Sequence, residues 1–333
     1  MKNLTFPKFC SYNVIKPLVC CPDCQIVQES HFDFSFLINS YANASEECLE
    51  QFYRKIPCNK FPEFSNLDAS IMCYKNPKML ETVIAGGYDA KRNEYPHMAL
   101  IGYGDDPSSA DWMCGGSVIS DRYILSAAHC ISSPALGEIK YAALGILKRT
   151  DHPDLWQTYD VVKIIGHPKY QPPSKYHDIA LLATGAKIRF NREVLPACLH
   201  RGSDMPQVAT ATGWGAMGHR KQLAEMLQVV DINRFSDAEC MAAYPVHRHL
   251  KNGYDKDTQV CYGDEEQIND TCEGDSGGPL QVKTEEGSSK KCLYTIIGVT
   301  SYGRACGYVG SSGMYTRVSH YVPWIESITG PLL

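Results

Sequence analysis

Apolar residues in most of this chain form short runs rather than long helical stripes. From Ile84 onward, runs rich in β-branched and aromatic side chains alternate with Gly, Pro and Asn turns. The clearest runs are residues 117–120, 123–126, 161–165, 179–183 and 294–299. Many short strands at such intervals are typical of an antiparallel barrel or sandwich rather than a parallel sheet. We therefore expect an all-β fold after residue 83.

One amphipathic helix is indicated near the C-terminus. Tyr321, Trp324, Ile325 and Ile328 recur at i, i+3, i+4 and i+7, which is the spacing of one helix face. Pro323 fits this helix if it lies in the first turn, where a backbone N–H has no partner in any case. The sequence thus predicts a C-terminal helix beside the β structure.

Cysteine content divides the chain near residue 83. The 15 cysteines in 333 residues predict disulfides and an oxidising compartment. Residues 1–83 have little periodic apolar pattern and contain seven of them, at positions 10, 20, 21, 24, 48, 58 and 73. We expect a cysteine-rich leader over 1–83 and a β-rich domain over 84–333.

The first residues do not resemble a secretory signal, although the cysteines indicate secretion. The sequence from Met1 to Pro7 lacks an apolar stretch, and the cysteine number is odd. We expect an extracellular protein whose N-terminus is truncated here; the alternative is one free thiol and an unusual export route. A net charge of −5 with no basic patch argues against nucleic acid as a partner. No apolar run approaches the ~18 residues that span a bilayer.

Three segments contain candidate catalytic chemistry: residues 125–130 end in His129 and Cys130, 177–182 begin a strand at Asp178, and 274–279 present Ser276 between glycines. A serine hydroxyl is a weak nucleophile and needs an adjacent base, which in turn needs an orienting acceptor. His129 would take the proton from Ser276, and Asp178 would hold the imidazole. The N–H groups of Gly274 and Ser276 would face the developing oxyanion. Taken alone, each segment is also explained by a structural role: a structural histidine, an aspartate in a cap or turn, or an ordinary loop.

Taken together, these segments resemble the trypsin-like serine proteases of the chymotrypsin fold. The resemblance covers 84–330 and includes residues 114–117, 213–215 and 315–318. It implies two six-stranded antiparallel β-barrels with the active site in the cleft between them, followed by the C-terminal helix. It also implies a serine endopeptidase that needs no cofactor and no catalytic metal. The stretch after Ala143 offers no carboxylate set that would hold calcium.

The resemblance places Asp270, six residues before the nucleophile, at the base of the primary substrate pocket. Its walls would include Ser301, Gly303 and Gly313, with the glycines leaving room for a long side chain. A carboxylate there pairs with guanidinium or ammonium, so we expect cleavage after Arg or Lys. The alternative is that Asp270 is a loop residue within the glycosylation sequon 269–271.

The junction Val83–Ile84 resembles the activation site of these enzymes. A cut there would free the Ile84 ammonium to pair with Asp275 and order the site. A pocket ending in Asp270 would not accept Val83, so we expect a different protease to activate this zymogen. The alternative is a ragged cut followed by trimming with an exopeptidase.

Disulfides are assigned by the same resemblance. It pairs Cys114 with Cys130, Cys240 with Cys261 and Cys272 with Cys306. It also gives Cys198 a propeptide partner, for which we expect Cys73, with Cys48 or Cys58 as alternatives. Cys292 has no assigned partner; it would be free or bonded to a propeptide cysteine.

Residues 10–22, with the pattern Cys-x₉-Cys-Cys-Pro, resemble the end of a clip domain. We therefore expect a clip remnant over 1–22 and a linker over 23–83. Together with residues 96–99 and the non-basic junction, this resembles arthropod clip-domain proteases of the Snake and Persephone type. The resemblance implies a cascade protease of immunity or development, with a downstream zymogen as substrate, an upstream activating protease and serpin-type inhibitors. Alternatives are a digestive trypsin and a non-catalytic homologue that acts as an adaptor.

Overall fold

The computed structural model describes residues 8–13, 16–20, 87–216, 222–264, 274–284, 292–303 and 311–332. The chain divides into two compact units, Met1–Glu81 and Thr82–Leu333. In the first unit, β1 (Lys8–Asn13) and β2 (Lys16–Cys20) form an antiparallel hairpin. All further elements belong to the second unit.

Among the described residues, six antiparallel strands close a first barrel. This half contains β4 (Met98–Tyr103), β5 (Asp111–Val118), β6 (Tyr123–Ser126), β7 (Ser132–Ser133), β8 (Gly137–Leu144), β9 (Gln157–Gly166) and β10 (Ala180–Thr184). The short strand β3 (Tyr88–Asp89) comes before them in the chain but belongs to the second sheet. The barrel follows the order β4-β5-β6-β10-β9-β8, and β8 pairs with β4 to close it. The predicted apolar run 179–183 overlaps β10, which is buried because β6 and β9 flank it on both sides.

A second barrel of six described strands follows. This half contains β11 (Cys198–Leu199), β12 (Val208–Gly213), β13 (Gln228–Arg234), α1 (Asp237–Ala243), β14 (Gln259–Gly263), β15 (Pro279–Lys283), β16 (Tyr294–Gly303), β17 (Ser312–Arg317) and α2 (Val318–Thr329). The order is β16-β15-β12-β13-β14-β17, closed by the pairing of β17 with β16. The predicted fold, two six-stranded antiparallel barrels with a C-terminal helix, is confirmed.

Each barrel has its own apolar core. The first is filled by side chains such as Ile124, Leu125 and Leu181, each fully buried. The second is filled by Tyr262 and Tyr315 together with their neighbours. Inward-facing residues of short strands meet only after the barrels close, so the site that the barrels build depends on both cores.

The two helices differ in how well the sequence indicates them. Helix α2 packs Tyr321 and Ile325 against the first core, as predicted. It begins at Val318, however, so Pro323 lies in the second turn rather than in the first. Helix α1 is too short for an apolar stripe, and its start is instead marked by a capping box in which Ser236 and Glu239 bond to each other's backbone N–H.

Three disulfides join described elements. Cys114–Cys130 links β5 to the turn after β6, and Cys240–Cys261 links α1 to β14. The third bond joins Cys198 to Cys292. The expected Cys198–Cys73 bond is therefore wrong in this structure: β11 runs parallel to β16, which brings Cys198 close to Cys292, two residues before that strand begins. Cys73 itself, and the predicted Cys272–Cys306 pair, lie outside the described residues.

A buried histidine connects the two barrels. His97 is 1% exposed, directly before β4, and its Nε2 contacts the Gln281 side chain of β15. The Gln281 amide also donates to Thr212 Oγ1 of β12 at 3.1 Å. Burial lowers the pKa of His97 to about 4, and the contact with Gln281 offsets this only in part. The histidine is therefore neutral at pH 7 in the folded protein.

We expect His97→Gln to weaken the acid sensitivity of folding. In the unfolded chain His97 becomes protonated as the pH falls below its ordinary pKa of 6.5. In the folded chain it stays neutral until about pH 4. Stability should thus fall as pH drops from 6.5 to 4, by up to about 3 kcal/mol from this residue. Urea titrations with intact disulfides should show that the free energy of unfolding falls less between pH 6.5 and 4 in His97→Gln than in the parent protein.

The exposed His152, replaced in the same way, is the matched control and should leave the pH dependence unchanged. If the parent and the His97→Gln protein lose the same free energy between pH 6.5 and 4, the assignment is wrong.

Candidate active site

His129 lies in a short 3-10 turn, Ala128–Cys130, at the end of β6. Its side chain is 30% exposed. The neighbouring Cys130 is bonded to Cys114 of β5, so the turn is held to the strand that precedes β6. The disulfide and the strand pairing together give the imidazole a fixed support.

Asp178 receives hydrogen bonds from three groups on two sides. The His129 backbone N–H donates to Oδ1 at 2.8 Å, and His129 Nδ1 lies 2.7 Å from Oδ2. The Ser301 hydroxyl of β16 also donates to Oδ2. The Asp178 carbonyl oxygen accepts from Thr316 Oγ1 of β17 at 2.8 Å. An aspartate from the first barrel is thus held by side chains of the second.

The charge of Asp178 is kept despite its burial. The residue is 2% exposed, and burial alone would raise the pKa of its carboxyl group. The charge interaction with His129, together with the hydrogen bonds from His129 and Ser301, outweighs burial and lowers the pKa below its ordinary value. An ionised carboxylate accepts hydrogen bonds only, so Nδ1 of His129 must carry a proton, and in the neutral imidazole Nε2 is then the acceptor.

Ser276 lies at the second position of a tight turn. Gly278 N donates to Asp275 O at 2.9 Å, and Gly277 between them has a φ of 80°. This is the geometry of a type II turn, which requires glycine at the third position. A Cβ on Gly277 would also overlap Ser126 Oγ and the Gly115 carbonyl. Ser276 is therefore held on a turn that other residues at 277 would distort.

The backbone holds this turn against the first barrel. Gly115 N donates to Ser276 O at 2.8 Å, and Cys130 Sγ lies 3.6 Å from the same oxygen. Cys130 Sγ is also 3.8 Å from Nε2 of His129. The same cystine thus contacts both the imidazole and the serine backbone, so the structure brings the His129 turn and the Ser276 turn together.

Asp275 explains the glycines on both sides of Trp214. Its Oδ1 accepts from Gly215 N at 2.8 Å. A Cβ on Gly213 or Gly215 would overlap the Asp275 carboxyl group. Gly274, before it, has a φ of 101°, which favours glycine. The glycines of the motif 213–215 therefore leave room for the carboxyl group of Asp275, the residue before Ser276.

Of the predicted pocket residues, three lie together. Gly303 of β16 is directly opposite Gly313 of β17, and Ser301 is two residues earlier. Asp270, Val83 and Ile84 lie outside the described residues. Sequence analysis missed the bonds of Ser301 and Thr316 to Asp178. No spacing signal could reveal them, because each joins residues more than 120 positions apart.

A sequence profile of the trypsin family (Trypsin) matches residues 84–325. The chain is 34% identical to Serine protease snk of Drosophila melanogaster, over 74% of this chain and 57% of that protein. It is 33% identical to Serine protease Hayan of the same species, over 76% of this chain and 40% of that protein. It is 31% identical to Venom serine protease Bi-VSP of Bombus ignitus, over 94% of this chain and 79% of that protein. The chain spans about half the length of the first two relatives. It belongs to the trypsin family.

Proposed function

We propose that this chain is the zymogen of a secreted serine endopeptidase that cleaves after Arg or Lys. The observation that carries the proposal is the buried, ionised Asp178 bonded to His129, with the Ser276 turn packed on the adjoining cystine. A purely structural histidine would not need a buried carboxylate with three hydrogen-bond donors.

Each residue has a defined role in the proposed reaction. His129 Nε2 takes the hydroxyl proton of Ser276 as its Oγ attacks the scissile carbonyl. Asp178 holds the tautomer and stabilises the imidazolium that forms. The tetrahedral oxyanion accepts from the backbone N–H groups of Gly274 and Ser276. His129 then returns the proton to the leaving amine, and water repeats the sequence to release the acyl group.

The pocket assignment rests on Asp270. Its position six residues before Ser276 and the facing glycines Gly303 and Gly313 support a slot with a negative floor. An arginine or lysine head group would pair with that carboxylate, whereas an apolar side chain would leave it buried and unpaired. Ser301 would form a wall of the slot while it orients Asp178.

Activation is proposed to follow a cut between Val83 and Ile84. The new Ile84 ammonium would pair with the Asp275 carboxylate. This carboxylate packs against Gly213 and Gly215, and Asp275 lies in the chain between the proposed oxyanion donors Gly274 and Ser276. Because Val83 does not suit a pocket built on Asp270, the activating enzyme would be a second protease with a different preference. Proteolytic activity would therefore depend on prior cleavage by that second protease.

The cysteine-rich segment supports an extracellular regulatory role, with 1–22 as clip-like sequence and 23–83 as a linker. We propose a downstream protein zymogen as the substrate, in an immune or developmental cascade, and serpin-type proteins as inhibitors. Relatives named CLIP domain-containing serine protease and Phenoloxidase-activating factor support this context. The helices among the described residues are all too short or too polar to cross a membrane.

One engineered junction tests the proposal. Replacing 79–83 by an enteropeptidase recognition sequence should let that enzyme expose Ile84 at the N-terminus. The cut protein should hydrolyse Arg and Lys amides about 10³-fold faster than Phe amides, and Asp270→Ser should lose most of that preference. Active-site titration with a serine reagent checks that the variant is folded.

The unaltered junction is the matched control. Trypsin should not expose Ile84 from it, because Val83 is not a basic residue. Clean release of Ile84 by trypsin would refute the proposed activation route. Equal turnover of Phe and Arg amides by the cut protein would refute the pocket.

A further inference from the structure

Basic residues of the two barrels come together where Lys175, between β9 and β10, contacts the loop that precedes β14. Lys175 is three residues before Asp178, and residues 247–251 contribute His247, Arg248, His249 and Lys251. We call Lys175 together with residues 247–251 the basic shelf. None of these side chains has a part in the proposed chemistry, although the overall charge of the chain is negative, at −5.

Backbone contacts fix Lys175 against this loop. Its N–H donates to the His249 carbonyl at 3.0 Å, and its own carbonyl accepts from Gln259 Nε2 at 2.9 Å. The same Gln259 amide lies 3.2 Å from the Tyr302 hydroxyl. The Lys175 ammonium lies over the Tyr302 ring, 5.0 Å from its centroid. A cation over an aromatic face at this distance is attracted to it, so Lys175 has a preferred position.

The loop 247–251 presents its charges outward. Leu250 is fully buried and exchanges backbone hydrogen bonds with His247, which makes a tight turn. Arg248 and Lys251 are exposed on either side of it. Burial and the nearby positive charges of Arg248, His247 and Lys175 lower the pKa of His249. The shelf is thus a compact positive region, which corrects the expectation from the overall charge that the chain has no basic patch.

Other charged groups face the same region. Burial and the positive charges of Lys169 and His320 lower the pKa of His177, whereas the Asp255 carboxylate acts to raise it. Asp255 already accepts from Thr258 Oγ1 at 2.8 Å and from Asp257 N at 3.1 Å. In the described part of the chain, no ion pair joins Asp255 or its exposed neighbour Asp257 to Lys175, Arg248 or Lys251.

A free strand edge leads from the catalytic residues to the shelf. β15 ends its pairing with β16 at Pro279 opposite Val299, and beyond Thr300 the described residues pair β16 only with β17. An extended peptide can add to such an edge by main-chain hydrogen bonds. With arginine in the pocket between Gly303 and Gly313, the residues that precede it would pass Tyr302 and Lys175.

We propose that the basic shelf makes the enzyme select protein substrates with acidic side chains among the three residues that precede the cleaved Arg or Lys. This rests on the proposed function, since it concerns the same site. The attraction is between partly exposed charges, so it should raise kcat/KM moderately and should weaken with salt.

Matched peptide amides test this selectivity. Each peptide has arginine before the cleaved bond. At each of the three positions that precede this arginine, one at a time, Glu, Ala and Lys are compared. At low salt, glutamate at the best position should raise kcat/KM about 10-fold over alanine, and lysine should lower it. In 0.5 M NaCl the Glu/Ala ratio should fall to about 2.

Variants assign the effect to the shelf. Lys175→Gln should lower the Glu/Ala ratio several-fold, and Lys175→Arg should restore it. Lys187→Gln is the control, because Lys187 pairs with Asp121 of the first barrel at 2.7 Å and should not affect the ratio.

Cleavage of all the arginyl peptides with a Glu/Ala ratio near 1 would overturn this inference while leaving the proposed function intact. An unchanged ratio in Lys175→Gln would overturn it too. Failure to cleave any arginyl peptide would instead refute the proposed function.

Discussion

Asp178→Asn should lower kcat on an arginyl amide by about 10⁴-fold, the loss known for this change in a Ser-His-Asp triad, while the protein remains folded. The carboxylate accepts from His129 N, His129 Nδ1 and Ser301 Oγ. An asparagine amide in this place would donate to Nδ1, which would move the ring proton to Nε2. A protonated Nε2 cannot accept the proton of Ser276, so the base would be lost while the packing stays nearly the same.

The measurement is kcat after identical activation, with urea unfolding as the test of the fold. Asp154→Asn makes the same chemical change at an aspartate whose side chain is 89% exposed, and should leave kcat unchanged. A loss below 10-fold in well-folded Asp178→Asn would mean that Asp178 does not set the tautomer of His129.

Much of the fold was predictable because its signals are local. Short apolar runs predict β6, β10 and β16, and a four-residue apolar pattern predicts α2. The three candidate catalytic segments could also be found in the sequence, because each contains its own chemistry: a histidine beside a cysteine, an aspartate at the start of a strand, and a serine between glycines. What brings them together is barrel closure, which no single segment encodes.

Most of the features that the sequence did not reveal depend on the register of strands that are distant in the chain. The Cys198–Cys292 bond follows from the parallel pairing of β11 with β16, and these cysteines are 94 residues apart. The bonds of Ser301 and Thr316 to Asp178 depend on how the second barrel meets the first. Helix α1 was missed for a different reason: its signal is the cap at Ser236 rather than an apolar stripe.

Ser276→Ala should lower kcat by about 10⁶-fold, since alanine has no nucleophile and the remaining oxyanion donors give only modest catalysis. The turn should survive, because alanine is compatible with the second position of a type II turn and Gly277 keeps its φ of 80°. Pretreatment with a serine reagent removes traces of active enzyme before the residual rate is measured. A variant that keeps more than about 1% of kcat would show that Ser276 is not the nucleophile.

Combining Ser276→Ala with Asp178→Asn then tests whether the residues act as one unit. His129 has no hydroxyl proton to take once Ser276 is gone, so a wrong tautomer can do no further harm. The double variant should therefore be within about 3-fold of Ser276→Ala, although independent losses of about 10⁴ and 10⁶ would multiply. A double variant at least 100-fold slower than the single one would mean that Asp178 supports activity by a route separate from Ser276. One cystine contacts both the His129 ring and the Ser276 backbone, so we expect the double variant to be nearly as active as Ser276→Ala.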